Sequence, residues 1–271
     1  MHRPFVKMNG LGNDFVVVES GSEPFRPTAE EVRAIADRDH GVGCDQLIAI
    51  EPSRRGHAFM RFWNADGGEV GACGNGTRCA GWLVMQASGR TSVDLETAAG
   101  LLRVRDAGPE RVTVDMGPPG LDWKDIPLSR PMDTNQVDLN VQADWPPPGC
   151  VSMGNPHVVF FVPDADTAPV RRIGPMVERH ALFPERVNVG FAQIVARDRI
   201  RLRVWERGAG LTLACGTGAC AALVASRRRG LTDDKATIVM DGGELVIHWR
   251  PEDGHVLMTG PIMVEFTGRL S

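Results

Sequence analysis

Ala72-Cys73-Gly74-Asn75-Gly76 and Ala214-Cys215-Gly216-Thr217-Gly218 are nearly the same phrase written twice in one chain. The second cysteine stands 142 positions after the first, and that offset carries further without adjustment. Gly12-Asn13 falls on Gly154-Asn155, Val16-Val17 on Val158-Val159, Arg61 on Arg203, Trp63 on Trp205 and Gly68 on Gly210. Gly100 falls on Gly242, Val104 on Val246 and Met116 on Met258. One gap-free offset matching Trp, Cys and Asn at so many separated positions marks an internal duplication. The chain reads as two tandem domains, 1–118 and 119–261, with the segment 262–271 joining the first.

Each copy reads alike. A β-branched run opens it, at 15–19 and 158–162. A helix follows. In copy one it starts at Pro27-Thr28, with Thr28 and Glu31 spaced as a capping box, and stops at Gly41. In copy two it covers about 170–181, where Gly174-Pro175 should break or kink it. Alternating strands at 57–64 and 200–206 come next. The Cys-Gly turns then lead into helices at 75–88 and 217–229, apolar on most faces and therefore expected to be buried. The basic run Arg227-Arg228-Arg229 suits the last turn of the second of these. Closing strands are expected at 101–104 and 112–116, and at 244–249 and 256–258. Pro146-Pro147-Pro148-Gly149 reads as a surface turn. Short Gly/Pro-rich connections favour antiparallel pairing over βαβ crossovers. The expected fold class is therefore α+β: two pseudo-symmetric domains, each a largely antiparallel, barrel-like sheet around one central helix.

The repeat also sorts the six cysteines. Cys44, Cys79, Cys150 and Cys220 fall on non-cysteine positions and read as small buried hydrophobes. Only Cys73 and Cys215 fall on each other. Both lie just before a buried helix, whose first N–H groups are unpaired and carry partial positive charge. A thiol there is expected to be more acidic than usual, and the same N–H groups bind a carboxylate. Gly74, Gly76, Gly216 and Gly218 are read as clearing side chains from that approach. Two such helix starts set face to face would cradle a carboxylate, with a sulfur on each side of the adjacent carbon. One sulfur would remove a proton as thiolate and the other would deliver one as thiol, inverting the configuration. Polar residues pair in register as well: Asn13 with Asn155, Gln46 with Asn188, Asn64 with Glu206, Asn75 with Thr217. His157 has no counterpart and is read as a candidate partner that tunes one thiol.

Composition narrows the alternatives. The 271 residues are 42% hydrophobic, enough for one large or two medium cores. A net charge of −4 lacks the basic footprint of a nucleic-acid binder. No apolar run is long enough to span a bilayer, and residues 1–15 show no secretory pattern, so a cytoplasmic protein with free thiols is the expectation. The three lysines, Lys7, Lys124 and Lys235, sit in no context that suggests a Schiff base.

Taken in order, the motifs resemble those of the diaminopimelate epimerases. They are Met8-Asn9-Gly10-Leu11-Gly12-Asn13-Asp14-Phe15, Gly41-Val42-Gly43 with Asp45-Gln46, Asn64-Ala65-Asp66-Gly67 and Ala72-Cys73-Gly74-Asn75-Gly76. Met153-Gly154-Asn155-Pro156-His157, Arg186-Val187-Asn188, Glu206-Arg207-Gly208 and Ala214-Cys215-Gly216-Thr217-Gly218 complete the set. The resemblance runs nearly end to end. It implies interconversion of LL- and meso-diaminopimelate in lysine and peptidoglycan-precursor synthesis, with no pyridoxal phosphate, other cofactor or metal. It implies Cys73 and Cys215 as the acid/base pair, with His157 and Glu206 assisting the thiols. Asn13, Gln46, Asn64, Gly74, Asn75, Asn155, Asn188, Glu206, Arg207, Gly216 and Thr217 would bind substrate, Arg207 as the fork on the distal carboxylate. It further implies a homodimer, a small-molecule substrate, and neither nucleic-acid nor membrane partners. Two departures stand out. Leu211 occupies a position where many relatives carry Glu, and Phe266 one where some carry Tyr, which puts a Tyr-mediated dimer contact in doubt.

Rival readings weigh less. A related two-cysteine proline or hydroxyproline racemase would not need Arg207 with Glu206, Asn64 and Asn188. A thiol redox or zinc module lacks a Cys-x-x-Cys pair and a His at ligand spacing. A phosphate loop at 71–76 lacks the Lys-Ser/Thr that follows its glycines.

Overall fold

The computed structural model describes residues 3–21, 23–71 and 73–270; Ala72, which opens the first Cys-Gly phrase, lies outside them with Met1, His2, Ser22 and Ser271. The chain divides into two compact units, Met1–Asp115 with Thr259–Ser271, and Met116–Met258. Unit one carries β1 (Arg3–Gly10), β2 (Asn13–Glu19), α1 (Ala29–Ala36), β3 (Gln46–Glu51), β4 (Ala58–Asn64), β5 (Glu69–Val70), α2 (Gly74–Ser88), β6 (Ser92–Thr97), β7 (Gly100–Asp106) and β8 (Arg111–Asp115). The rest of the chain contributes β9 (Gly149–Ser152), β10 (Pro156–Phe161), α3 (Val170–Glu178), β11 (Asn188–Ala196), β12 (Arg199–Glu206), β13 (Gly210–Thr212), α4 (Gly216–Arg228), β14 (Lys235–Met240), β15 (Gly243–Trp249), β16 (Val256–Pro261) and β17 (Met263–Leu270).

Both units are built on one register. β2 pairs parallel with β3, Phe15 opposite Gln46, and β10 pairs parallel with β11, His157 opposite Asn188. β3 pairs antiparallel with β4, Leu47 opposite Trp63, as β11 does with β12, Val189 opposite Trp205. Each position in the second unit is 142 beyond its equivalent in the first. After the buried helices the equivalence slips by one. Thr97–Gly100 and Met240–Gly243 close matching hairpins, with φ of 137° at Gly100 and 132° at Gly243. The partners of Gly100 and Val104 are thus Gly243 and Ile247, not Gly242 and Val246. An added residue in the connection from α4 to β14 accounts for the slip.

The sheets are largely antiparallel, but the expectation against crossovers needs correction. α1 links the parallel pair β2–β3 and α2 the parallel pair β4–β6, while α3 and α4 do the same for β10–β11 and β12–β14. Those connections carry a whole helix, so the chain can return to the same end of the sheet. In unit one the strands close into a ring through the C-terminal segment. β17 pairs with β1, and the run before it meets β8 through Thr113–Thr259 hydroxyls at 2.7 Å and the Ile262 N–H on the Glu110 carbonyl at 2.9 Å.

Alternation decides which face each residue lines. On β2, Val16 and Val18 join Leu47, Ala49, Val32 and Ala36 in the cluster under α1. Phe15 faces the other way, with Ile48 and Phe62, against Gly76 of α2. The strand is buried on both faces and so reads as a continuous apolar run. α2 touches seven of the unit-one strands and α4 six of those in unit two, so each is the central helix of its sheet.

The capping box forms as expected: Glu31 N–H reaches Thr28 Oγ1 at 3.2 Å and Thr28 N–H reaches Glu31 Oε2 at 2.7 Å. α1 nevertheless ends at Ala36, short of Gly41. Asp37 Oδ1 captures the Asp39 and His40 N–H groups, and the Val42 and Gly43 N–H groups turn back to the Ile35 carbonyl. A short Asp side chain competing for backbone donors stops the helix. α3 runs unbroken through Pro175. The strands β1 and β9, which precede the β-branched openings, and β3, β11 and β17 go beyond the strands expected from sequence.

α3 sits directly on the following turn. A Cβ at Gly174 would lie 2.5 Å from Trp205 Cγ, and that indole is held by Glu178 Oε2 at 2.7 Å. Gly174→Ala must displace the ring or the helix, an overpacking cost of about 1–3 kcal/mol against a helix-propensity gain of up to about 1 kcal/mol. Chemical denaturation is expected to show a net loss of stability; an unchanged or raised midpoint would contradict this packing.

Candidate active site

Each unit presents one cysteine at the start of its central helix. Cys73 is the N-cap of α2, with φ −145° and ψ 117°, and its Sγ accepts the Gly76 N–H at 3.5 Å. Cys215 is the N-cap of α4, with φ −130° and ψ 108°. Its Sγ lies 3.7 Å from Thr217 Oγ1. The extended backbone at an N-cap leaves the next N–H groups without intrahelical acceptors. Cys73 Sγ takes up one of those donors, whereas Cys215 forms no such side-chain cap bond.

Two of the glycines that follow, Gly76 and Gly218, also have a packing task. A Cβ on Gly76 would lie 2.8 Å from Ile48 Cδ1 and 3.0 Å from Phe62, and one on Gly218 would lie 3.1 Å from Val204. Gly76 and Gly218 admit the helix to the sheet. They are packing glycines, and at Gly218 a Cβ would also lie 3.2 Å from Cys215 Sγ.

In unit one, neighbouring strands deliver the polar residues. Gln46 and Asn64 face each other across β3 and β4, and Gln46 Nε2 donates to Asn64 Oδ1 at 2.8 Å. Gln46 Oε1 is buried with no partner among the described residues, as is Asn75 Oδ1 at the head of α2. Asn13, at the start of β2, donates from Nδ2 to Asp45 Oδ2 at 2.7 Å. The turn after Asn64 is closed by the Asn64 N–H on the Gly68 carbonyl at 2.8 Å, with Gly67 at φ 94°. Arg33 of α1 holds the Asp66 carbonyl at 3.0 Å.

In unit two a chain of contacts runs from His157 to the sulfur. His157 Nε2 meets Asn155 Oδ1 at 3.0 Å, Asn155 Nδ2 donates to Thr217 Oγ1 at 3.3 Å, and Thr217 leads to Cys215. His157 is buried, and burial first, then the nearby charge of Arg207, pushes its pKa down to about 3. It is a neutral imidazole near pH 7. Asn188 Nδ2 donates to the Pro156 carbonyl at 3.0 Å, and its Oδ1 accepts the Arg207 N–H at 2.9 Å. The Arg207 side chain is exposed, with Nη1 on the Glu185 carbonyl at 2.9 Å. Glu206 accepts from Thr212 Oγ1 at 2.5 Å.

The expected acidity of the cysteines fails at Cys215. Burial raises its pKa well above the ordinary thiol value, and the Glu206 carboxylate raises it further. Thr217 and the Gly218 N–H pull the other way and are outweighed. Desolvation of a thiolate exceeds what one helix terminus returns. Burial likewise raises Glu206, with Thr212 opposing. Of the remaining thiols, Cys44 is raised by burial to about 11 and Cys79 to about 12. Together with Cys150 and Cys220 they are buried, in keeping with a packing role.

Unit one thus carries Asn13, Gln46 and Asn64 on neighbouring strands, with Gln46 bonded to Asn64, and Cys73, Gly74 and Asn75 at the start of α2. Unit two carries Asn155, His157, Asn188, Glu206, Arg207, Cys215, Gly216 and Thr217. Three supporting residues escaped the sequence reading. Thr212 is bonded to Glu206, and its repeat equivalent, Val70, carries no such signal. Glu178 is buried in α3 and accepts both Trp205 Nε1 and the Gly208 N–H, the latter at 3.1 Å. Asp45 stands beside Gln46 in a motif that was quoted, and only tertiary contact with Asn13 reveals its place.

The family model for diaminopimelate epimerase matches residues 5–121 and 149–264. A diaminopimelate epimerase of Phenylobacterium zucineum (strain HLK1) is 65% identical over 273 residues, covering 100% of this chain and 98% of that one. A second, of Caulobacter sp. (strain K31), is 59% identical over 284 residues with the same coverage. Among solved structures, a phenazine biosynthesis protein of the PhzF family from Enterococcus faecalis aligns over 100% of both chains with a TM-score of 0.72 at 12% identity, a likeness of fold alone. On the full-length identities and the family match, the chain belongs to the diaminopimelate epimerases, a family of isomerases.

Proposed function

We propose that this chain interconverts LL- and meso-diaminopimelate by two-base chemistry, with Cys73 and Cys215 as the acid/base pair and no cofactor. The reaction supplies precursor for lysine and peptidoglycan synthesis, in the cytoplasm, where six free thiols persist. The observation that carries this reading is the matched N-cap placement of the two cysteines, one on the central helix of each unit. No other pair of cysteines coincides across the repeat.

The chemistry follows from what surrounds those caps. The first-turn N–H groups, at Gly74 and Asn75 in one unit and Gly216 and Thr217 in the other, suit a carboxylate. As the α-proton leaves, charge flows into that carboxylate, and donors already aimed at it stabilise the transition state. One sulfur accepts the proton as thiolate. The other donates from the opposite face, and the roles exchange in reverse. Burial and Glu206 favour the protonated form of Cys215, so this residue needs its neighbours when it must act as base. Glu206, itself raised, is placed to share that proton, and His157 acts through Asn155 and Thr217 by holding the hydroxyl nearest the sulfur. Gln46 Oε1 and Asn75 Oδ1 are buried acceptors suited to ammonium or N–H donors. Arg207, exposed on its turn with Asn188 fixing its backbone, is the fork for the distal carboxylate. We further propose a homodimer through β17, where Met263, Val264 and Phe266 are 50%, 38% and 48% exposed.

The reading requires both sulfurs to reach one carbon. Turnover of LL-diaminopimelate in heavy water, with no added cofactor, is expected to place solvent deuterium in the first-formed meso product, while proline is left unchanged. Cys73→Ala and Cys215→Ala are each expected to lower kcat by about 10³-fold or more. Retention of the substrate's own hydrogen, or a fully active alanine variant, would refute two-base catalysis.

His157 also governs acid stability. An unfolded histidine takes its proton near pH 6.5, whereas folded His157 resists until about pH 3. The unfolded state binds more protons across that window, so stability declines as pH falls through it. His157→Gln is expected to flatten the fall of Tm between about pH 6.5 and 4; identical slopes in variant and parent would count against a buried neutral imidazole.

Light scattering is expected to give about twice the 29.4 kDa chain mass, and Phe266→Glu to shift the mass toward one chain. A monomeric parent would overturn the dimer.

A further inference from the structure

Two matched asparagines, Asn13 and Asn155, differ in what holds them. Asn155 uses both ends of its amide within its own unit, the oxygen with His157 at 3.0 Å and the nitrogen with Thr217 at 3.3 Å. Asn13 uses only its nitrogen, on Asp45 Oδ2 at 2.7 Å. Its Oδ1 has no partner among the described residues. The difference traces to two neighbours: the repeat equivalent of Asp45 is Val187, which offers no acceptor side chain, and that of His157 is Phe15, which offers no ring nitrogen.

Asp45 is held through both carboxylate oxygens and both backbone polar groups. Its Oδ2 also accepts the Asp14 N–H at 3.0 Å, and its Oδ1 accepts Arg38 Nη2 at 2.8 Å. Its own N–H is shared between the Asp14 carbonyl at 3.0 Å and Asp14 Oδ1 at 3.1 Å. Its carbonyl accepts the Ala65 N–H at 3.1 Å, next to Asn64. Asp14 is held in turn by a bidentate Arg38, both contacts at 2.9 Å, and by Lys7 Nζ at 2.7 Å. The nearly buried Lys7 ammonium also meets the Gly43 carbonyl. Two carboxylates and two cations thus form one braced cluster under the start of β2.

We propose that Asp45 is a positioning residue that locks the Asn13 amide with its oxygen turned outward as an acceptor for the ammonium group of an α-amino acid. The inference rests on the reading of Asn13 as a substrate contact. A carboxylate has no proton to give, so it accepts only the NH₂ end of an amide. Rotating Asn13 by half a turn would set two oxygens against each other and strand the Asp45 lone pair. A free asparagine offers either end; this one offers a single end. Because Val187 replaces the carboxylate in the other unit, the device marks one side only. A two-base site is pseudo-symmetric about the carbon it inverts, and a one-sided acceptor backed by negative charge gives the ammonium a fixed place in both configurations.

The test is a double-mutant cycle on kcat/KM for LL-diaminopimelate, with Tm recorded for each protein. Asp45→Asn can present either end to Asn13, and it removes the charge. It is expected to raise KM about tenfold, the scale of a hydrogen bond to a charged group, with a smaller change in kcat. In an Asn13→Ala background the same change is expected to alter kcat/KM less than about twofold, because a residue acting through Asn13 has nothing left to position. If both single variants lower kcat/KM and the losses multiply, the positioning role is overturned while Asn13 remains a substrate contact. If Asn13→Ala leaves kcat/KM unchanged, the reading of Asn13 itself falls, and the proposal with it. An unchanged KM in Asp45→Asn overturns the proposal directly. Should Asp45→Asn not fold, Arg38→Gln, on a side chain 59% exposed, loosens Asp45 Oδ1 and is read in the same cycle.

Discussion

A helix that begins inside a barrel must find partners for its first N–H groups, and the structure depends on how that is done. α2 and α4 pack against the strands of their own sheets, and a donor left unpaired away from water is costly. Each begins at a cysteine in extended conformation. A sulfur is a weak acceptor and leaves most of the demand unmet. An oxyanion would meet it better. On the proposed reading, a helix start capped this weakly would receive a carboxylate, with the N-cap cysteine near the carbon that carries it.

The same burial that concentrates this demand sets the chemistry of the sulfur. Removing water from around Cys215 penalises its thiolate more than the helix terminus favours it, and Glu206 adds to the penalty. The neutral His157 has the same cause: desolvation, reinforced by the Arg207 charge. Burial in unit two therefore favours the neutral forms of His157 and Cys215. Unit one, by contrast, gathers charges in the Lys7–Asp14–Arg38–Asp45 cluster, to which the Asn13 amide is bonded. Near-identical backbone registers support two different electrostatic environments.

Supporting carboxylates recur in both halves. Glu178 of α3 holds Trp205 and the Gly208 N–H, fixing the turn that carries Glu206 and Arg207. In unit one the Asn64 turn rests on α1, with the Ala29 carbonyl so close to Gly67 that a Cβ there would lie 2.6 Å away. The outer helices thus brace the turns that carry Asn64, Glu206 and Arg207. This explains why the site-bearing turns are short and glycine-rich, and why a substitution on α3 would be felt at Trp205.

The primary structure by itself determined the duplication, the central helices with their cysteine caps, the Thr28–Glu31 box and the polar residues paired across the copies. These are written as local spacing and residue type, and spacing survives translation into structure because backbone periodicities are fixed. What tertiary structure alone decided depends on neighbours distant in sequence. The parallel crossovers, the strands β1 and β9, the early stop of α1 and the one-residue slip near Gly243 are set by pairing partners and competing side chains. The upward shift at Cys215, the packing role of Gly76 and Gly218, and the Asp45 brace under Asn13 arise from burial and contacts made across the sheet. Solvent exclusion and long-range contact are properties of the folded volume, and no window of sequence contains them.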